Sequence, residues 1–288
     1  LLVGDHKQLP PTYQEEHKTE LSRRLKLDRN SNDFEWILKS DFERAFESDY
    51  GKAAGAKLLI QYRMAEPIGS MVSDVFYNSE LKTGERYIPD IYGNIKGALN
   101  STVSWLDTSP LGNSGKSQKD SGHSSSNAGE ASQIISLLKD IQADDEFVHN
   151  LADIADGEPA IGIICMYAAQ KRLLIRKFNE LAWSDSFQKL VKIDTVDSYQ
   201  GKENRIIIVS TTLNTTDKNP RFLRVLNRIN VAMSRAMDRL VIVGATDMWK
   251  GNNSEYPLGK IASYIQKHQG DDYQFVKATN THGGRQHA

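Results

Sequence analysis

Runs of consecutive aliphatic residues that lack polar alternation constrain this chain most. Ala160–Cys165 reads AIGIIC, the Arg205–Thr212 stretch contains IIIV, and Leu240–Gly244 reads LVIVG. A strand that is apolar on both faces must be covered on both, which is the condition of a parallel sheet sandwiched between helices. Further strands are expected at Lys57–Gln61, Thr102–Leu106 and Val191–Val196. Amphipathic stretches between them predict helices at Pro67–Phe76, Gly129–Asp144, Ala168–Trp183 and Leu226–Met237. Such alternation gives an α/β layered domain with a mainly parallel central sheet.

Composition narrows the function classes. The 288 residues are 39% hydrophobic and 25% charged, enough for one large or two modest folded domains. A formal net charge of −1 makes no whole-chain case for nucleic acid, although a local basic groove is compatible with it. Cys165 stands alone in an apolar run, which excludes a disulfide framework and predicts a buried thiol. The seven His show no ligand spacing, so no zinc site is expected. No apolar run is long enough to span a bilayer and no signal peptide is visible. The expectation is an intracellular protein, cytoplasmic or nuclear, with no membrane partner.

Two polar stretches are read as surface. Ser109–Glu130 is rich in Ser, Gly and Asn and reads as a mobile insertion, with Lys116 and Lys119 as passive loop charges, the alternative being a nucleic-acid contact through them. The run EFVHNLADIADGE reads as solvated. From about Gly251 onward one amphipathic helix (Leu258–His268) and a polar tail are expected.

The insertion contains Gly115-Lys116-Ser117, which tempts a P-loop assignment. That motif needs a glycine five positions before Gly115, where Pro110 stands, and a helix after it, where QKDSGHSSS stands. These residues make no P-loop.

Four other segments place polar groups at strand ends or helix starts. They are Gly4-Asp5-His6-Lys7-Gln8-Leu9-Pro10-Pro11, Gln61-Tyr62-Arg63-Met64, Thr195-Val196-Asp197-Ser198-Tyr199-Gln200-Gly201-Lys202-Glu203, and Asn230-Val231-Ala232-Met233-Ser234-Arg235-Ala236. Gln, two Arg and a Glu gathered at one sheet edge would suit a polyanion, since a guanidinium fork matches phosphate oxygens. Taken singly, Arg63 could be a helix-start ion pair, Arg235 a solvated charge, Tyr62 and Tyr199 core residues, and Gln8 a turn cap.

In this order the four segments resemble motifs III, IIIa, V and VI of superfamily 1 helicases. The likeness is strongest to the branch that includes the nonsense-mediated-decay RNA helicase and the Okazaki-fragment-processing helicase–nuclease. AIGIICMYAAQ resembles motif IV, with Cys165 and Met166 in place of the usual Thr-Pro and with Tyr167 and Gln170 matching. The resemblance implies a RecA-like three-layer lobe and ATP with Mg²⁺ as cofactors, the Mg²⁺ ligands lying upstream. It implies single-stranded DNA or RNA as partner. Gln8 would sense the γ-phosphate; Arg63 and Arg235 would act as catalytic arginine fingers. Asp5, Tyr62, Gly201 and Glu203 would complete the nucleotide contacts, while Tyr167, Thr195 and Ser198 would lie along the nucleic-acid strand.

The domain reading follows. The opening Leu1–Val3 run reads as a strand from the end of a first lobe, residues 1–50 being that lobe's remnant and SDFERAFES the helix after motif III. Residues 51–250 would form a complete second lobe, and 251–288 a helix and tail. The missing lobe 1 is then a partner within the same protein, and the chain by itself is expected to hydrolyse little or no ATP. The alternative is a non-catalytic single-strand-binding module, or a partner that lends its arginines in trans to another ATPase.

Overall fold

A computed structural model describes residues 2–9, 11, 13–93, 95–120, 124–214 and 220–279. The chain divides into two compact units, Leu1–Leu58 and Leu59–Ala288.

The described residues of the first unit form four helices, α1 (Glu15–Leu25), α2 (Asn32–Leu38), α3 (Asp41–Glu47) and α4 (Asp49–Ala54). Serine starts three of them: Ser31, Ser40 and Ser48 accept from the amides of Phe34, Glu43 and Gly51 and so satisfy the first orphan donors. The expected helix in SDFERAFES is α3. The opening strand expected at Leu1–Val3 is not formed at Leu2 and Val3, and Leu1 lies outside the described residues. Leu2 and Val3 are 63% and 78% exposed, and no other strand exists among the described residues of this unit to pair with them. An extended segment without a ladder partner has no sheet to join.

The second unit is built on a six-stranded, all-parallel sheet. Its strands are β3 (Val103–Asp107), β6 (Ile161–Cys165), β7 (Val191–Thr195), β8 (Asn204–Ser210), β9 (Ala236–Gly244) and β10 (Tyr273–Lys277), in the order β10-β3-β9-β8-β6-β7. Two small ladders flank it, β1 (Ile60–Gln61) with β2 (Lys82–Thr83), and β4 (Ser117–Lys119) with β5 (Ser125–Asn127). On one face lie α6 (Ala128–Gln142), α7 (Asp145–Ala155), α8 (Ala168–Asn179) and α9 (Asp185–Leu190); Ile206, Ile208, Val241 and Val243 pack into that layer. Ile207, Val209, Leu240 and Ile242 alternate with them and are equally buried. They belong to the face served by α5 (Glu66–Tyr77), α10 (Leu226–Met233) and α11 (Pro257–Lys267). Burial on both faces is why these strands read as unbroken apolar runs. The result is the expected α/β fold, a mainly parallel sheet of RecA-like three-layer type preceded by additional helices.

Several elements depart from expectation. The helix expected to Met237 stops at Met233, because Ala236 already pairs with Asn204 in the sheet. The helix expected to Trp183 stops at Asn179, and Trp183 turns back to stack between Phe178 and Phe187. The run read as solvated holds all but the first residue of α7, whose Phe147, Val148 and Leu151 are buried. Asp144 starts it by accepting from the Phe147 amide at 3.0 Å. Asp144→Ala is expected to cost about 1 kcal/mol of stability, read as a lower urea midpoint with unchanged slope.

Segment 109–130 also carries structure. It holds a 3₁₀ turn (Ser109–Gly115) and the β4–β5 hairpin, whose residues 121–123 are outside the described set. Polar side chains order it instead of apolar area. Asn127 is fully buried and donates through Nδ2 to the carbonyls of Gly115 (2.8 Å) and Thr212 (3.0 Å), while Oδ1 caps α6 by accepting from Glu130 N. The tail likewise holds β10, paired in register with β3.

Candidate functional site

The Gly4–Gln8 segment closes on itself. Asp5 accepts from the Lys7 amide at 2.9 Å and from the Gln8 side chain at 3.1 Å, and the Gln8 amide returns to the Asp5 carbonyl at 3.1 Å. His6 stacks on Phe46 with ring centroids 4.9 Å apart, which seats the loop on α3. Asp5 and Gln8 are therefore one small hydrogen-bonded unit, half-buried.

In the second unit, Gln61 builds the loop that carries Tyr62 and Arg63. Its Oε1 accepts from the amides of Arg63 (2.9 Å) and Met64 (2.7 Å), and its Nε2 donates to Met64 O and Thr83 Oγ1. Tyr62 is 64% exposed, and its ring lies where a Cβ on Gly84 would stand, so residue 84 has to be glycine to let the ring down. Arg63 Nε donates to the Glu203 carboxylate, and Nη1 reaches the Ser234 carbonyl at 3.4 Å.

Arg235 meets the same residue from the other side. Its Nη2 donates to Ser234 Oγ at 3.2 Å, Nε to Val231 O at 3.2 Å, and Nη1 to Lys202 O at 3.3 Å. Its side chain is folded back into the turn after α10 and is only 2% exposed, whereas the Arg63 side chain is 34% exposed. Gly201, with φ of +79°, makes the turn that brings Lys202 and Glu203 to this place. Three segments far apart in sequence thus meet around Ser234.

All of this lies at the amino ends of β8 and β9, where Asn204 pairs with Ala236 and the Ala65 amide donates to Met237 O at 2.7 Å. Tyr167 and Thr195 lie at the opposite, carboxyl ends of β6 and β7, where Cys165 pairs with Thr195. Of the groups expected at one sheet edge, Gln8 belongs to the first unit, and the two Arg and the Glu do gather at the amino-end edge, while Tyr167 and Thr195, expected along a nucleic-acid strand, lie at the other edge. The Thr195–Glu203 segment runs from one to the other because a parallel crossover must return to the start of the next strand. Thr195 Oγ1 donates to Ser198 Oγ at 3.2 Å, and Ser198 is exposed. Tyr167 is 3% exposed, with its ring edge-on to Phe222 at 5.8 Å.

Sequence reasoning missed the groups that hold the amino-end cluster. Asp238 is fully buried and accepts from Arg86, Tyr92 and Arg205. It missed Glu130 as well, a fully buried carboxyl bonded to Ser210, Thr211 and Thr212 at the carboxyl end of β8. Burial pushes its pKa up to about 8, against the lowering effect of those donors. Burial likewise pushes the Cys165 thiol up, which suits an inert core residue. Among the described residues no group of three or more His, Cys, Asp or Glu could hold a metal ion, and no helix is long and apolar enough to cross a membrane.

A family profile described as an AAA domain matches residues 37–247. The chain is 28% identical over 276 residues to an uncharacterized ATP-dependent helicase of Methanocaldococcus jannaschii, covering 93% of this chain and 35% of that protein. It is 26% identical over 270 residues to the DNA replication ATP-dependent helicase/nuclease of Gallus gallus, covering 92% and 22%. To the regulator of nonsense transcripts 1 homolog of Neurospora crassa it is 28% identical over 249 residues, covering 85% and 20%. The chain spans about a third or less of these relatives, and it is homologous to ATP-dependent helicases of several kinds without singling out one branch. With the profile matching most of its length, the chain belongs to the AAA-domain family.

Proposed function

We propose that this chain forms the second motor lobe of an ATP-dependent superfamily 1 helicase or translocase, working with a lobe that carries the P-loop and the Mg²⁺ ligands. The observation that supports it is the meeting of Arg63, Glu203 and Arg235 around Ser234 at the amino ends of β8 and β9. Of the two arginines, Arg63 is the accessible one. When ATP is bound, Mg²⁺ supplies charge neutralisation at the phosphates. Arg63 places its guanidinium against the transferring phosphoryl group and exchanges Glu203 for phosphate oxygens, and Glu203 is then released to hydrogen-bond the ribose. Tyr62, held flat over Gly84, stacks near the adenine. Arg235 follows only if its side chain unfolds from the Lys202 and Val231 carbonyls.

The opposite edge carries the strand contacts. Thr195 and Ser198 touch the sugar-phosphate backbone of single-stranded DNA or RNA, with Tyr167 behind them, and the Thr195–Glu203 crossover links this edge to the nucleotide. Binding of a fluorescently labelled single-stranded oligonucleotide to the chain, followed by anisotropy, tests this. The affinity is expected to fall steeply as salt rises from about 50 to 200 mM, and to be indifferent to sequence. Strand binding that depends on base sequence, or no binding at low salt, contradicts the assignment.

A further inference from the structure

We propose that Arg86 is a positioning residue that sets where Arg63 stands, by tying the Gln61–Met64 loop to the first residues of β9. The proposal rests on the reading of Arg63 as a nucleotide-facing cation, but its geometry can be tested without that reading. Arg86 lies beyond β2, 23 residues after Arg63, and its side chain is 10% exposed. Its Nη1 donates both to the Arg63 carbonyl and to the Met237 carbonyl, the latter at 2.7 Å. Its Nη2 donates to Asp238 Oδ1 at 2.5 Å. One planar fork therefore spans the backbone of the Arg63 loop and two consecutive residues of β9.

The far end of this tie is itself fixed. Asp238 is fully buried, and its other oxygen accepts from the Tyr92 hydroxyl at 3.1 Å and from Arg205 Nη1 at 3.4 Å. A carboxylate held from two further elements cannot swing, so Arg86 has a single low-energy placement. The loop also has a direct tether, Ala65 N to Met237 O, on the same carbonyl that Arg86 uses. The two ties converge on Met237, two residues after Arg235. The relation between Arg63 and the Ser234–Arg235 turn is thus set by Arg86 as much as by the sheet. Lysine cannot replace it: one ammonium has no planar fork and cannot meet two carbonyls and a carboxylate in this geometry.

The plain alternative is a buried ion pair that only stabilises the fold. The two differ in what happens to Arg63 in a folded variant. Arg63 Nε–H is bonded to Glu203 and Arg235 Nε–H to Val231 O, so their ¹⁵N side-chain signals report the two placements separately. In the 288-residue chain, Arg86→Lys is expected to shift or broaden the Arg63 signal while the Arg235 signal stays. An unchanged Arg63 signal in a folded Arg86→Lys chain overturns the proposal. Should that variant fail to fold, Asp238→Asn, which keeps the shape and loosens the fork, takes its place with the same expectation. If neither folds, Arg86 is structural and the proposal is overturned.

In an ATP-hydrolysing assembly that contains the chain, Arg86→Lys is expected to lower kcat about tenfold to a hundredfold, the scale of a small misplacement of a reacting group. KM for ATP should change by less than about twofold, and the substitution should add nothing to Arg63→Ala. An additive loss overturns the proposal. A shifted Arg63 signal together with full turnover in Arg63→Ala leaves the positioning role standing and removes the nucleotide reading.

Discussion

Arg63→Ala is expected to lower ATP turnover by about 10³-fold or more in an assembly that contains this chain, the scale of a lost arginine finger. The fold should hardly notice. Its two contacts, to Glu203 and to the Ser234 carbonyl, lie at a partly solvated rim, and exposed pairs contribute about 0–1 kcal/mol. Arg63→Lys should recover little, because one ammonium cannot meet two phosphate oxygens in the fork geometry. Arg235→Ala is a different experiment. It strips donors from Val231 O and Ser234 Oγ in the buried turn and from Lys202 O at its part-buried rim, and a buried group left unsatisfied costs about 1–3 kcal/mol. A loss of turnover there mixes chemistry with stability, whereas in Arg63→Ala an unchanged melting temperature assigns the whole loss to the site. Full turnover in folded Arg63→Ala would remove Arg63 from the mechanism.

The second large effect concerns Glu130. Its carboxyl is raised from the ordinary 4.5 to about 8 by burial, so the folded chain holds a proton that the unfolded chain releases. The stability this lends is fully present below about pH 4.5, declines as pH rises, and is gone above about pH 8. Between those limits the wild-type chain loses on the order of 1.4 kcal/mol per pH unit from this group. Glu130→Gln carries no titrating proton and keeps an oxygen for Ser210 Oγ and the Thr212 amide. The variant should match the wild type near pH 5 and exceed it by several kcal/mol near pH 8, measured as urea midpoints at both values. A difference that does not vary with pH would mean that Glu130 is ionised throughout. The strained conformation next to it makes the carboxyl consequential: Thr212 has φ of +73°, costly for a β-branched residue, and its amide is held by Glu130.

What the sequence revealed, and what it hid, follows from range. IIIV and LVIVG announced β8 and β9 because both faces of those strands are buried, and the helices between strands announced themselves by period. α7 was hidden because Asp144, Asp145, Glu146, Asp153 and Asp156 surround three buried apolar residues, although Asp144 three positions before Phe147 was a legible cap. β10 was hidden because YQFVK sits at the sheet edge and is only partly buried. The 109–130 segment misled because its order comes from Asn127 bonding to backbone 12 and 85 residues away, which no local pattern encodes. The candidate site divides in the same way. Tyr62, Arg63, Glu203 and Arg235 were nameable from motifs, but Asp238 and Arg86, 152 residues apart, were not. Nor did the motifs show that Tyr167 and Thr195 would fall at the opposite edge of the sheet from Arg63, Glu203 and Arg235.

A structure of the ATP-hydrolysing assembly with a non-hydrolysable ATP analogue tests the central claim most directly. The account predicts the γ-phosphate at the amino ends of β8 and β9, with Arg63 turned off Glu203 and a guanidinium nitrogen about 3 Å from a phosphate oxygen. A triphosphate bound elsewhere, with Arg63 still on Glu203 and the Ser234 carbonyl, would contradict it.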